Sequence, residues 1–162
     1  MCLIDIKWSY AKLDEVDTES KNAIMYFALL WSLFESKFCN ERASAEAICN
    51  KCQAIEESLN NNIFNVFLDY FKNRYVTEEG FNEKFDALNF RRHDKKALVE
   101  RVLKSETNNT IDIASALLII VYRLRNNLFH GLKWQYNIQG QYSNFDISNQ
   151  LLIKMISIAD DI

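Results

Sequence analysis

Not one proline interrupts this chain of 162 residues, and only three glycines, Gly80, Gly131 and Gly140, give it a backbone without a side chain. Proline breaks helices and both residues punctuate turns, so a chain this poor in them has few forced breaks. Long helices are favoured over a turn-rich β architecture. The length suits a single domain over residues 1–162, large enough to bury a core without disulfides or metals. An all-α bundle is the expected fold.

Apolar residues recur at helical spacing along most of the chain. A first helix follows Asp17 and Thr18, either of which can cap it, and carries Ala23, Phe27, Leu30, Trp31, Phe34 and Phe38 on one face. Beside that stripe runs a strip of smaller or polar residues, Ala28, Ser32, Glu35 and Cys39, suited to close packing against another helix. Glu35 at its boundary is either a satisfied structural acid or a group that looks into a site. A second helical stretch runs from about Ser44 to Leu59 until Asn60-Asn61-Asn62 interrupts it, because asparagine prefers caps and turns. A third places Phe64, Phe67, Leu68, Phe71 and Tyr75 together, a pattern that core packing explains better than base stacking.

Thr77-Glu78-Glu79-Gly80 reads as a cap and acidic first turn for a short helix holding Phe81, Phe85 and Leu88. Another helix centres on Leu98, Val102 and Leu103, and the polar string Ser105 to Asn109 ends it. Thr110 and Asp112 then open a long helix in which Ile111, Ile113, Ala114, Ala116, Leu117–Val121 and Leu124 leave almost no polar side. Such a helix is buried all round, either at the centre of the bundle or partly against a second subunit. Between Lys133 and Asn144 the pattern suggests a loop or small hairpin around Gly140. A final helix starting near Asp146 or Ser148 packs Leu151, Leu152, Met155 and Ile158.

The formal charge of −3 and pI near 5.5 exclude nucleic-acid binding through an overall positive field, so any RNA contact must be local. The candidate cluster is Arg91-Arg92-His93-Asp94-Lys95-Lys96, with Arg101, Lys104, Arg123 and Arg125 further along. A solvated connection between helices explains that cluster more cheaply. Cys2, Cys39, Cys49 and Cys52, in a chain that begins without a charged-then-apolar signal segment, point to reduced thiols and a cytoplasmic protein. Cys49-x-x-Cys52 has no second pair at zinc-site spacing, so two thiols one helical turn apart, with no metal or other cofactor, is the simpler account. The longest apolar run, Ile113 to Tyr122, is about half of what a membrane span requires.

The long helix ends in Arg125-Asn126-Asn127-Leu128-Phe129-His130-Gly131. A cation and a general acid-base group so close together are suited to phosphodiester cleavage. Histidine exchanges a proton near neutral pH, as attack by a 2′-hydroxyl requires, and the planar guanidinium stabilises charge developing on phosphate oxygens. On an ideal helix positions five apart are about 140° apart in rotation, so Arg125 and His130 converge only if the helix ends near His130. Gly131 is the residue expected at such a stop. Asn126 could orient the histidine or donate to the phosphate. Glu35, Tyr122 and Asn127 are further candidates for substrate contacts. One histidine cannot easily be base and acid in the same step, and His93 sits in an unconvincing context, whereas a second copy of the chain supplies the missing group.

The Arg125-to-His130 run closely resembles the R-[N/H/Q]-x3-H signature of the HEPN (higher eukaryotes and prokaryotes nucleotide-binding) superfamily. In its apolar helix, the following helix with Leu151-Leu152, and the early segment Leu30-Trp31-Ser32-Leu33-Phe34-Glu35, the chain resembles the ApeA-like and related prokaryotic subfamilies. The resemblance implies a HEPN-like helical bundle whose motif helices face each other in a homodimer. It further implies a metal-independent endoribonuclease with Arg125, Asn126 and His130 as catalytic residues and RNA as substrate. Relatives of this kind serve growth arrest, toxin–antitoxin or anti-phage defence, sometimes held in check by an antitoxin or regulatory protein. The alternatives are a noncatalytic HEPN module that binds nucleotide, RNA or a partner protein, and a plain helical dimerisation or adaptor protein.

Overall fold

The computed structural model describes residues 16–129 and 140–160. The stop expected at His130 and Gly131, most of the expected hairpin and Cys2 lie outside the described residues.

Seven α-helices, one short 3-10 turn at Glu56–Ser58 and a hairpin of two-residue strands make up the described fold. Helix α1 (Thr18–Cys39) starts where Asp17 accepts the Ser20 amide at 2.7 Å and its hydroxyl at 2.6 Å, which hold the Asp17 carboxyl below the usual range. It ends at Asn40 in the left-handed conformation. Ser44 caps α2 (Ala45–Ala54) and Asn60 caps α3 (Asn61–Tyr75), so the asparagine run is both interruption and start. The aromatic stripes are core: Phe27, Phe34, Phe64 and Phe71 are fully buried, each worth about 1.5–3 kcal/mol relative to exposure. Leu30 and Leu68, expected on the same stripes, are half-buried at their edges.

The next turn is a hairpin and not the expected helix start. Thr77 does not cap a helix: Val76–Thr77 (β1) pairs antiparallel with Gly80–Phe81 (β2), with Glu78 and Glu79 as the turn. Gly80 adopts a φ of +125°, which a side chain would disfavour. Asn82 is the true cap of the short helix α4 (Glu83–Asp86), accepting the Lys84 and Phe85 amides while its own amide holds the Arg74 carbonyl. Helix α5 (Lys96–Leu103) follows a loop over 87–95.

The long apolar stretch forms α6 (Thr110–Phe129), with Asn109 accepting the Asp112 amide at its start. Residues 113–121 of α6 are all buried, covered by helices of the same chain, chiefly α2, α3 and α5. Its burial therefore requires no second subunit. Helix α7 (Tyr142–Asp160) starts before the expected Asp146 or Ser148 and absorbs the end of the expected loop. It runs parallel to α1, with Phe145 against Phe27, the Asn149 amide donating to the Ala23 carbonyl at 3.0 Å, and Lys37 paired with Asp160 at the far end. The exposed apolar face lies instead on α1, where Met25, Tyr26, Leu29 and Leu33 are each more than half exposed. No helix among the described residues is long and apolar enough to cross a membrane.

Candidate functional site

The last turns of α6 turn two different faces to two different neighbours. On one face Arg123 is 1% exposed and donates from Nε to the Leu88 carbonyl at 3.1 Å and from Nη2 to the Asn89 carbonyl at 2.7 Å. Its Nη1 meets the buried Asp94 carboxylate at 2.9 Å, and Asp94 also accepts the Arg91 amide. Burial lowers the pKa of Arg123 and Asp94 opposes that shift. One turn on, the Asn127 amide donates to the carbonyls of Ala87 at 2.9 Å and Leu88 at 3.2 Å. Together these two side chains fasten loop 87–95 to α6.

On the other face Arg125 points to α1. Its Nη1 donates to Asn126 Oδ1 at 3.1 Å, its Nη2 lies 3.8 Å from Glu35 Oε2, and the guanidinium sits 5.8 Å from the Trp31 ring. Glu35 accepts the Trp31 indole at 3.2 Å and the Ala43 amide at 3.2 Å, so its carboxylate joins α1 to the segment leading into α2. Tyr122 completes the group, its ring 6.0 Å from that of Trp31. The 3.8 Å ion pair is partly exposed and contributes little stability, but it fixes the direction of the guanidinium.

The structure thus brings Glu35, Tyr122, Arg125 and Asn126 together, and it places Asn127 apart from them. With 2% exposure and its amide committed to the loop, Asn127 is scaffold, not a substrate contact. Arg123, grouped above with cations that could reach RNA, is likewise buried. Asn127→Ala is expected to cost about 1–3 kcal/mol, because it removes both hydrogen bonds that the buried amide makes to loop 87–95, while leaving substrate affinity of the folded protein unchanged. Urea denaturation and a binding titration check this, and a loss of affinity at unchanged stability would return Asn127 to the site. Trp31 is the residue the stripe pattern assigned to core alone. It is core, but its indole donor and ring face also hold Glu35 and Arg125, and the signal for this is the four-residue spacing of Trp31 and Glu35 on α1. His130 lies outside the described residues.

Glu35 faces Arg125 and the Trp31 indole, and its carboxylate would repel a phosphate. Two cavities of about 500 Å³ and about 470 Å³ are lined by other residues, the first by α2, α5 and α6 side chains that include Cys49 and Ser115. Cys39 and Cys52 are buried and desolvation pushes both thiols up to about 12, which makes them poor nucleophiles. Cys49 and Cys52 sit one turn apart within α2. Among the described residues no group of three or more His, Cys, Asp or Glu side chains is placed to hold a metal ion.

No protein-family model, no curated protein and no solved structure matches this chain.

Proposed function

We propose that this chain is a metal-independent endoribonuclease of HEPN type that works as a homodimer, in growth arrest, toxin–antitoxin or anti-phage defence. The observation that carries the proposal is the position of Arg125 and Asn126. They stand on the penultimate turn of a helix buried almost throughout its length, and the chain runs from there directly into His130. A rigid support of this kind is what a group stabilising transition-state charge needs. In the reaction His130 takes the proton of the ribose 2′-hydroxyl, the 2′-oxygen attacks the adjacent phosphorus, and the P–O5′ bond breaks. Arg125 holds the phosphate oxygens as charge develops. A second protonated His130, from the other copy, gives its proton to the leaving 5′-oxygen. The products are a 2′,3′-cyclic phosphate and a 5′-hydroxyl.

The noncatalytic alternative has one observation in its favour: Arg125 already faces Glu35 and Trp31, as a purely structural arginine would. The deciding experiment is incubation of a mixed RNA with wild type and His130→Ala in excess chelator, followed by end-group analysis. Chelator-resistant cleavage with cyclic-phosphate ends, lost in the variant, supports the enzyme. RNA binding without turnover by the folded dimer would leave the binding module, and cleavage that needs a metal and survives His130→Ala would sink the proposal.

A further inference from the structure

In sequence, the run 91–96 carries four cations, one histidine and an acid, a mixture typical of a solvated connection. Its folded surface is different. Asp94 is turned inward and its charge is cancelled by Arg123, while Arg91, Arg92, His93, Lys95 and Lys96 remain exposed. The outer surface of this loop therefore carries one more positive charge than its composition gives, in a chain whose net charge is −3.

A loop that only connected α4 to α5 would gain nothing from a buried ion pair, because desolvating two charges costs more than an apolar contact of the same size. What the pair supplies is position. Arg123 and Asn127 hold loop 87–95 against the turns of α6 in which the Arg125-to-His130 run begins. Aromatic surface adjoins the cations. The rings of Phe81 and Phe85 stack at 4.0 Å, the Lys104 ammonium lies 5.3 Å from the first and the Lys96 ammonium 5.5 Å from the second, and Phe90 packs against Phe85 at 5.3 Å. Phe81 and Phe90 are only half-buried. Cations interleaved with accessible rings suit a single strand, whose phosphates meet the charges and whose bases stack on the rings. Lys96 shares its charge with Glu100 at 3.5 Å, which leaves Arg91, Arg92 and Lys95 as the main contributors.

We propose that loop 91–96, with Phe81 and Phe90 beside it, is a binding surface for the backbone of single-stranded RNA that leads the strand to the C-terminal end of α6. The choice of RNA rests on the ribonuclease reading above.

The test is binding of a 2′-O-methyl oligoribonucleotide, which cannot undergo 2′-oxygen attack, measured against salt concentration. Three proteins are compared: wild type, the triple variant Arg91→Gln/Arg92→Gln/Lys95→Gln, and a control, Lys21→Gln/Lys51→Gln/Lys154→Gln, with the same net charge placed elsewhere. The loop variant is expected to lower the salt slope by about 2, and hence to weaken binding about a hundredfold near 0.1 M salt, whereas the control stays close to wild type. Circular dichroism should show both variants folded, since all six side chains lie at or near the surface. Equal weakening in both variants would reduce the effect to net charge, and unchanged affinity in the loop variant, or a wild type that binds no oligonucleotide, would overturn the proposal. A wild type that binds through the loop yet never cleaves unmodified RNA would leave the surface standing and remove the ribonuclease.

Discussion

Arg125→Ala is expected to slow RNA cleavage about 10²- to 10³-fold, the usual consequence of deleting one group that stabilises transition-state charge. The ion pair it breaks is long and partly exposed and adds little, so the expected stability loss is about 0.5–1.5 kcal/mol, mainly from the hydrogen bond to the buried Asn126. Arg125→Lys should rescue little. A lysine ammonium restores the charge but not the planar fork that reaches Asn126, the Trp31 face and a phosphate at once. The measurement is single-turnover cleavage, with the urea midpoint recorded on the same preparations. A variant that cleaves at the wild-type rate would place Arg125 in the scaffold beside Glu35 and favour the binding module.

A comparable effect on folding is expected from Asp94→Ala. The substitution leaves the Arg123 guanidinium buried without its carboxylate and removes the acceptor of the Arg91 amide, a combination expected to cost about 3–5 kcal/mol. The double variant Arg123→Met/Asp94→Leu separates the two contributions. It buries no charge, so it should recover part of the loss. Recovery stays incomplete because the Asn89 carbonyl loses its donor, while the Leu88 carbonyl keeps Asn127. Urea denaturation of the single and double variants checks both steps, and a single variant within about 1 kcal/mol of wild type would mean that the pair is not buried in solution.

The helices were largely legible because their apolar residues repeat with a helical period: Ala23 to Phe38 on α1, Phe64 to Tyr75 on α3, and Leu151 to Ile158 on α7 all face the core as their spacing predicts. The hairpin at Val76–Phe81 was not. Two-residue strands are too short to show alternation, and a threonine before two acids is also a common helix start. The site was legible in its residue types more than in its geometry. With apolar residues on every side of α6, periodicity offers no face, so it does not tell which of Arg123 and Arg125 is buried. The first proves to be buried against the loop and the second turned to α1, because two residues on a helix differ by about 200°. The same uniform apolarity left open a role for a second subunit in burying α6, which the packing of α2, α3 and α5 accounts for within one chain.

The parallel pairing of α1 with α7 governs the order in which the chain can mature. Translation delivers α1 more than a hundred residues before its principal neighbour, so Phe27 has no Phe145 to meet until the segment 142–160 has left the ribosome. Helices α2 to α6 can associate early through shorter connections, but α1 must keep an aromatic face in reserve throughout that interval. For a chain proposed to damage RNA, this delay withholds a finished fold from every incomplete copy. An unfinished chain would carry the Arg125-to-His130 run without the helix that closes the bundle over α1.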